Sequence, residues 1–273
     1  MTSQHWARMA RLWQFVGPPL RPAAQDRAAY HGALGQWRRE HARPPRALIL
    51  GVTPELHALD WPAGTSLLAL DASPQMIEAV WPGPAGTALR GSWTAMPLAA
   101  ASRDIVLCDG GLGMLSYPHG QAALLRELRR VLAPGGIFAA RLFAPKGRTG
   151  NADEVFARLA AGDIASLDAL KLQLWGALHG SPEQGVQPQC VVAHILAAVG
   201  GFDRLAADHG WSLEHTRSLE LHRASQATYF LTDAAEMVRM AGGAQGGFEC
   251  LDIVEPDYEL GACCPIVTLR CGG

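Results

Sequence analysis

The sequence predicts an α/β fold built on a doubly wound, mostly parallel sheet, with N-terminal helices and a helical cap insertion, and three features of the chain support this prediction. Short apolar runs that read as strands alternate with helical patterns between residues 46 and 143. The first two runs are joined by a glycine turn and a short helix, and parallel strands need a crossover of this kind. A third feature is residues 144–231, which have helical patterns and are too long for a simple crossover.

The first strand–turn–helix–strand unit lies within residues 46–78. Its first strand is residues 47–50, Gly51 forms the turn, and its second strand, residues 67–70, runs into Asp71. Because the carboxyl ends of parallel strands share one edge of a sheet, a nucleoside can place its ribose hydroxyls against this acid and its linker over the turn. A carboxylate there accepts two hydrogen bonds from a ribose diol. The unit therefore predicts a nucleoside cofactor.

The turn sequence GVTPE, residues 51–55, indicates which nucleoside is bound. It has a single glycine, so the pyrophosphate fingerprint GxGxxG is absent. Pro54 has no backbone N–H to donate, and Glu55 places a negative charge where a pyrophosphate would lie. A zwitterionic amino-acid tail fits better, because the helix N-terminus can bind its carboxylate and Glu55 its ammonium group. This pattern favours S-adenosylmethionine (SAM) over NAD.

The elements that follow Asp71 keep the alternation of helix and strand. Ser73 is the expected N-cap of the next helix, and Pro74 is its first residue. The helix after the fourth strand shows apolar residues on one face. In order, the predicted elements are a helix at 73–80, a short strand and turn at 89–93, a strand at 104–108, a helix at 121–132, a turn at 133–136 and a strand at 137–143.

The run LLRELRRVLAPGGIFAARLF, residues 124–143, resembles the helix–turn–strand that follows the cofactor site in class I SAM-dependent methyltransferases. The resemblance covers residues 46–143 and resumes near the end of the chain. There a helix at 233–240 precedes two runs, FECLDIVEPDYEL and CPIVTLR, that are similar to the final strand pair of this family. The resemblance implies a Rossmann-like sheet of seven strands that closes with an antiparallel pair.

The resemblance also implies SAM as the cofactor and S-adenosylhomocysteine (SAH) as the product. Thr53 and Glu55 stand where the family's Gly-rich loop has its later glycines, and Ser92 stands for the acid that often holds the adenine amino group. The expected cofactor contacts are Gly51, Thr53, Glu55, Asp71, Ala72, Met76, Gly91, Ser92, Trp93, Asp109 and Gly110.

Methyl transfer is an in-line displacement, so the protein mainly positions the nucleophile, and a base is needed only if that nucleophile carries a proton. The candidate bases lie near the end of the fourth strand: Asp109, Tyr117 and His119. A turn or helix cap is the alternative role of Asp109. Structural roles are expected for three other histidines, His194, His215 and His222. No His, Cys or acidic cluster has metal-ligand spacing, so no metal is expected.

Two segments outside the sheet are expected to determine the substrate. Residues 1–45 form a predicted helical lid, with helix patterns at 6–15 and 23–37 around a proline-rich break. Residues 144–231 form a predicted helical cap, with helices at 153–159, 167–178 and 191–199 and a loop at 180–189. The Rossmann-like domain is then residues 46–143 and 232–273. The expected substrate contacts are Trp13, Phe15, Arg21, Tyr30 and Lys171, although the tryptophans could simply pack on the sheet and Lys171 could extend to solvent.

Composition restricts the partners. A net charge of −2 gives no general attraction to nucleic acid or anionic membranes. Eight arginines among residues 1–46 indicate either a solvated helical face or a surface for an anionic partner. The start of the chain lacks a signal-peptide pattern, and no apolar run approaches the about 20 residues that span a bilayer. We therefore expect a cytoplasmic monomer or homodimer.

Three functional classes remain open. The first is an enzyme that methylates an oxygen or nitrogen atom of a small-molecule metabolite; the apolar cap and the lack of a basic groove favour it. The second is a catalytically degenerate relative that binds SAM or SAH as a sensor or partner subunit, which the altered GVTPE loop supports. The third is an NAD(P)-linked oxidoreductase, which the antiparallel closing pair disfavours.

Overall fold

The computed structural model describes residue 10 and residues 12–144, 151–243 and 246–272. Its strands are β1 Arg46–Leu50, β2 Ser66–Asp71, β3 Ala88–Arg90, β4 Arg103–Asp109, β5 Leu132–Arg141, β6 Phe248–Val254 and β7 Ile266–Cys271. Its α-helices are α1 Ala24–Glu40, α2 Pro54–His57, α3 Pro74–Val80, α4 His119–Val131, α5 Ala152–Ala160, α6 Leu167–Leu178, α7 Pro188–Val199, α8 Phe202–His209, α9 Leu213–Arg217 and α10 Ala234–Gly242. Short 3₁₀ turns cover Trp13–Phe15, Gly111–Met114, Ser218–His222 and Gly261–Cys263.

The strands form one seven-stranded sheet in the order β3-β2-β1-β4-β5-β7-β6. Strands β1 to β5 pair in parallel, whereas β7 is antiparallel to both β5 and β6. The predicted doubly wound sheet with a terminal antiparallel pair is confirmed. From β1 the chain continues to one side as β2 and β3 and then to the other side as β4 and β5. The strand order therefore reverses beside β1, where open α/β sheets bind ligands.

Helices cover both faces of the sheet, which explains why β1 is an almost continuous apolar run. Ala47, Leu48, Ile49 and Leu50 are all essentially inaccessible to solvent. On one face the buried cluster includes side chains of α1, α2 and α3, and on the other face it includes side chains of α4 and α10. The sheet is thus a rigid base whose carboxyl edge remains open to a ligand.

The local signals at helix α3 are confirmed. The Ser73 hydroxyl accepts a hydrogen bond of 3.2 Å from the Met76 N–H, and Pro74 is the first helical residue. The cap fixes the start of α3 immediately after Asp71.

The prediction of a turn at residues 133–136 is wrong. These residues lie inside β5, which begins at Leu132 directly after α4. Leu132 pairs with Arg103, and the register then shifts before Ile105 pairs with Ile137. The Pro-Gly-Gly run is accommodated as an irregularity in the strand, because Gly135 adopts a φ of 75° that favours glycine.

The inserted region contains more helix than the sequence indicated. Helices α5 and α6 lie close to the predicted positions, while α7 begins at Pro188 rather than at residue 191. Helices α8 and α9 were not predicted, because each is short. Residues 145–150 lie outside the described residues, as do residues 6–9 and 11 of the predicted first helix. The division of the chain into lid, sheet domain and cap stays a prediction.

Part of the arginine cluster near the N-terminus is used inside the fold. Arg43 and Arg46 both donate hydrogen bonds to the buried carboxylate of Asp104, at distances between 2.7 and 3.0 Å. Burial alone would raise the pKa of Asp104, but these two guanidinium groups hold it well below its usual range. These two arginines therefore hold the start of β1 against β4.

Among the described helices, none is by itself long and apolar enough to span a membrane. Taken together, helices α7 and α8, which are bent by 66° at the break between them, are long and apolar enough by length and composition alone.

Candidate active site

A cavity of about 380 Å³ opens at the carboxyl ends of β1, β2 and β4. We call its sheet side the cofactor end, and it is lined by Leu50, Gly51, Val52, Thr53, Asp71, Ala72, Met76, Ser92, Trp93, Asp109, Gly110 and Gly111. We call the side formed by the inserted region the acceptor end, and it is lined by Lys171, Trp175, His222, Tyr229 and Leu231, together with Phe143, which lies against Gly110. Residues 12–22, here called the strap, contribute Trp13, Val16 and Leu20. The size suits a small organic ligand.

Gly51 and Asp71 lie together at the floor of the cofactor end. The Gly51 N–H donates a 2.8 Å hydrogen bond to the Leu70 carbonyl, which ties the end of β1 to the end of β2. Gly51 has a φ of 90°, and a side chain there would point toward the Asp71 carboxylate. The turn thus brings the backbone close to the acid, as the sequence spacing predicted.

The Asp71 carboxylate has unused hydrogen-bonding capacity. Its Oδ1 accepts a 2.7 Å hydrogen bond from the Ser73 N–H. Burial raises the pKa of this carboxyl, and the Ser73 hydrogen bond only partly offsets that effect. Within the described part of the chain, Asp71 has no salt-bridge partner. Its other oxygen is available to accept hydrogen bonds from a hydroxyl pair.

The Trp93 indole lies across the ends of β1 and β4. Its Nε1 donates a 2.8 Å hydrogen bond to the Leu70 carbonyl. A side chain on Gly111 would come within 2.5 Å of the ring, and one on Gly51 within 3.7 Å. The ring therefore needs glycine at position 111, and it gives the cofactor end a flat aromatic surface.

Asp109 is held by an arginine at the end of β4. Both of its carboxylate oxygens accept hydrogen bonds from Arg141, at 2.6 and 3.0 Å. Arg141 is fully buried and also donates a 2.7 Å hydrogen bond to the Pro19 carbonyl of the strap. Because both carboxylate oxygens are engaged in this bidentate pair, the geometry favours a structural role for Asp109.

The acceptor end has an aromatic wall. The Trp175 ring lies 5.9 Å from that of Phe143 and 5.0 Å from that of Tyr229, measured between centroids. Burial raises the pKa of Tyr229 to about 12, so its hydroxyl keeps its proton at neutral pH. Within this wall, Tyr229 can donate a hydrogen bond but cannot act as a base.

Lys171 is the charged residue of the acceptor end. Its ammonium group donates a 2.9 Å hydrogen bond to Asp168, whose other oxygen accepts a 2.7 Å hydrogen bond from the Gly17 N–H. His215 lies 3.6 Å from the same carboxylate. Burial alone would raise the pKa of Asp168, but Lys171, His215 and Gly17 together lower it to about 2. The hydrogen bond from Gly17 to Asp168 joins the strap to the inserted region.

Arg21 fastens the strap to the first loop. Its guanidinium forms a 2.5 Å salt bridge with Glu55 and lies over the Trp13 ring, 5.4 Å from its centroid. Glu55 is therefore neutralised by the strap and does not line the cavity. The other carboxylate oxygen of Glu55 is buried with no hydrogen-bond partner among the described residues, and the role of Glu55 toward the ammonium group of the cofactor stays a prediction.

Most of the predicted cofactor residues come together at the cofactor end, and two of the predicted substrate residues also line the cavity, Trp13 on the strap and Lys171 at the acceptor end. Six further predicted residues do not line the cavity, for identifiable reasons. Gly91 packs against Pro97, and Tyr30 is buried beneath the site with its hydroxyl donating to the Cys108 carbonyl at 2.7 Å. The other four are Phe15, Arg21, Tyr117 and His119.

Tyr117 and His119 are displaced from the site by the course of the loop after β4. The Tyr117 hydroxyl hydrogen-bonds Glu236, which also pairs with Arg239, on α10. His119 is the exposed first residue of α4. The sequence placed them near the right edge of the sheet, but their side chains lie outside the cavity. Phe15 likewise stacks against His215, with a centroid distance of 6.2 Å, instead of lining the cavity.

Sequence reasoning missed the aromatic wall and assigned His222 a structural role. Trp175 and His222 are separated by many residues along the chain, and both line the cavity only because the helices of the inserted region pack together. Tyr229 had no local signal, since it lies in an irregular stretch after those helices. Among the described residues, no group of three or more His, Cys, Asp or Glu side chains could hold a metal ion.

The sequence profile of a family described as "Methyltransferase domain" matches residues 50–140. This range begins at the end of β1 and ends in β5, so it contains most of the cofactor end of the cavity. No curated protein matches the sequence.

Several solved structures share the fold over nearly the whole chain. The CcbJ methyltransferase from Streptomyces caelestis has a TM-score of 0.55 at 14% identity, with 100% of both chains covered. The N-methyltransferase NodS from Bradyrhizobium japonicum, in complex with SAH, has a TM-score of 0.52 at 9% identity, again with 100% of both chains covered. A Rhodobacter sphaeroides protein described as a candidate Zn-dependent alcohol dehydrogenase has a TM-score of 0.63 at 14% identity. This match covers 98% of the present chain and 97% of the Rhodobacter chain. At these identities the likeness shows the fold alone.

Proposed function

We propose that the chain, whose residues 50–140 match a methyltransferase domain, uses SAM to methylate an oxygen or nitrogen atom of a small molecule. The observation that carries the proposal is that both ends of the site belong to one cavity. It joins Asp71 at the sheet edge to the aromatic wall of the inserted region. A ligand of the sheet edge and a small acceptor would therefore share one partly enclosed space.

The residues at the cofactor end fit the nucleoside. Asp71, with one oxygen uncommitted, would accept hydrogen bonds from the ribose diol, and the Gly51 turn allows the backbone to approach closely. The Trp93 indole offers a flat surface for the adenosine portion. When bound, SAM supplies a methyl group on a positively charged sulfur. The chain's own residues then have to place the acceptor atom and remove any proton it carries.

His222 is the proposed proton acceptor. It is the one imidazole among the described cavity-lining residues, and histidine is the side chain that most often serves as a general acid or base. Tyr229, whose hydroxyl stays protonated, would donate a hydrogen bond to the acceptor molecule. These roles replace those predicted for Tyr117 and His119, which lie outside the cavity.

The experiment follows the methyl group to its acceptor. The protein is incubated with SAM labelled in its methyl group together with separated small-molecule, protein and nucleic-acid fractions of a cell extract. We expect label to enter the small-molecule fraction, with no transfer in a control in which the protein has been heat-inactivated. Label confined to the protein or nucleic-acid fraction would contradict the proposal, and so would the absence of any transfer by protein that binds SAM.

A further inference from the structure

The acceptor end combines aromatic rings with one buried ammonium group. The Trp175 ring contacts two other rings, with centroid distances of 5.9 Å to Phe143 and 5.0 Å to Tyr229. Lys171 lines the same end, and its side chain is only 8% exposed. Burying an ammonium group is costly, so its position against a ligand cavity calls for a chemical explanation.

An aromatic wall by itself is compatible with two kinds of ligand. Planar rings pack against aromatic side chains, and cations are attracted to the faces of the same side chains. Lys171 distinguishes the two, because a positive charge on the ligand would be repelled by the ammonium group nearby. The wall and the lysine together fit a planar ring that carries no positive charge.

The hydrogen bonding of Lys171 leaves capacity for a ligand. One N–H is donated to Asp168, and within the described part of the chain the ammonium has no other hydrogen-bond acceptor. Asp168 does not itself line the cavity. It is held by Gly17 on its far oxygen and therefore orients the lysine. Two N–H donors remain for an anionic oxygen, and hydrogen bonds of this charge-assisted kind are the strong ones.

One carboxylate, that of Asp168, lies beside Lys171 at this end, but it does not line the cavity, and its two oxygens accept hydrogen bonds from Lys171 and Gly17. Among the described lining residues, the acidic ones are Asp71 and Asp109, and both belong to the cofactor end. Asp109 is neutralised by Arg141 through two hydrogen bonds. A negatively charged group beside Lys171 would thus meet an ammonium donor and aromatic edges.

We propose that the methyl acceptor is a planar aromatic molecule carrying an anionic oxygen group, and that Lys171 binds this group. Asp168 is the positioning residue that fixes the lysine. The assignment rests on the proposed function in one respect, namely that the cavity holds the acceptor. It goes further by giving the chemical class of that acceptor.

Three probes that share one dihydroxyphenyl ring test the assignment: protocatechuate, the corresponding benzyl alcohol and the corresponding benzylamine. They carry a negative, a neutral and a positive substituent on the same ring. Binding to the full chain is measured by quenching of tryptophan fluorescence, with and without SAH. We expect the acid to bind at least about tenfold more tightly than the alcohol, because one charge-assisted hydrogen bond contributes about this much. The amine should bind most weakly of the three.

Two variants of Lys171 serve as matched controls. Lys171→Met keeps the length of the side chain but removes the charge, and we expect it to lose the preference for the acid while still binding SAH. Lys171→Arg keeps the charge and should retain the preference. An alcohol or amine that binds as tightly as the acid to the wild type would overturn the assignment. A preference that persists in Lys171→Met, or an acid that fails to bind SAH-loaded protein, would also overturn it.

The outcome separates this inference from the proposed function. Preferential binding of the acid without any methyl transfer in the extract experiment would support the ligand class and contradict the reaction. Methyl transfer to small molecules without a preference for the acid would do the reverse.

Discussion

At the scale of single residues, the cofactor end depends on a carboxylate that has no cation beside it. Asp71 accepts one hydrogen bond from Ser73 and keeps its other oxygen facing the Gly51 turn. Burial raises the pKa of this carboxyl, so its charged form costs stability at neutral pH. The cost has an explanation if the free oxygen serves a ligand.

Replacing Asp71 therefore separates stability from binding. In Asp71→Asn the amide oxygen can still accept the Ser73 N–H, and the unfavourable charge is gone. We expect a free energy of unfolding at neutral pH at least equal to that of the wild type, measured in urea, together with at least a tenfold loss of affinity for SAH (about 1.4 kcal/mol). Unchanged SAH affinity would show that the ribose does not lie against Asp71.

His222 gives the second prediction at this scale. In His222→Gln the side chain keeps its polarity but can no longer accept a proton, so turnover should fall about 100-fold or more while SAH binding is unchanged. His119→Gln is the matched control, because His119 is exposed and lies outside the cavity. Equal rates for the wild type and His222→Gln would remove His222 from the reaction.

The predictions for single residues rest on two kinds of evidence, the geometry of neighbouring strands and the directions of side chains in loops. The placement of Asp71 beside Gly51 followed from strand geometry, since both residues end neighbouring parallel strands. The roles predicted for Glu55, Tyr117 and His119 depended on side-chain directions in loops. Arg21 pairs with Glu55 and Glu236 pairs with Tyr117, and neither partner is near in sequence.

At the scale of elements, the strap closes the cavity through three contacts with different parts of the fold. Gly17 donates to Asp168 of α6, the Pro19 carbonyl accepts from Arg141 of β5, and Arg21 pairs with Glu55 of α2. Gly17 and Asp168 are separated by 151 residues. Periodicity and turn signals act over a few residues, so the sequence indicated a lid segment but could not reveal what holds it.

The Asp168 contact makes strap docking sensitive to acid. Its pKa of about 2 lies below the ordinary value of 3.8, so its contribution to stability is complete above pH 4 and is lost as the pH falls toward 2. The shift corresponds to about 2 kcal/mol. We expect Asp168→Asn to lose about this much at neutral pH and to show a weaker dependence on pH between 4 and 2, measured by urea unfolding. Asp203→Asn, which alters an exposed ion pair, is the control.

A parallel loss of stability in the wild type and in Asp168→Asn across this pH range would show that the Asp168 contact is not the acid-sensitive one.

Strand β5 shows how tertiary pairing can override a local sequence signal. The Pro-Gly-Gly run is a turn signal in the sequence, but pairing of β5 with β4 on both sides of it keeps the strand continuous. Tertiary pairing there outweighs the local preference.

At the scale of the whole molecule, one buried arginine connects the sheet, the strap and helix α1. Arg141 binds Asp109 through two hydrogen bonds and lies 3.4 Å from Asp26 of α1, and both it and Asp26 are fully buried. Burial alone would lower the pKa of Arg141, but the two carboxylates raise it above its usual value. The topology of the sheet was readable from the order of strands and helices, whereas this network was not, because its members come from four separate segments.

Removing Arg141 should therefore destabilise the whole chain. In Arg141→Met two buried carboxylates lose their counter-charge, and we expect a loss of about 3–5 kcal/mol in the free energy of unfolding. The matched control is Arg223→Met, which breaks a surface pair with Glu220 and should cost less than about 1 kcal/mol. Similar losses for the two variants, measured by urea unfolding, would show that the network contributes little.

Thermal unfolding with added ligand tests whether the sheet edge beside Gly51 and Asp71 binds SAM. A ligand that binds only the native state raises the unfolding temperature by mass action. We predict that saturating SAH raises the unfolding temperature of the wild-type chain and that NADH at the same concentration does not. A rise with NADH alone, or no change with SAH, would contradict the account.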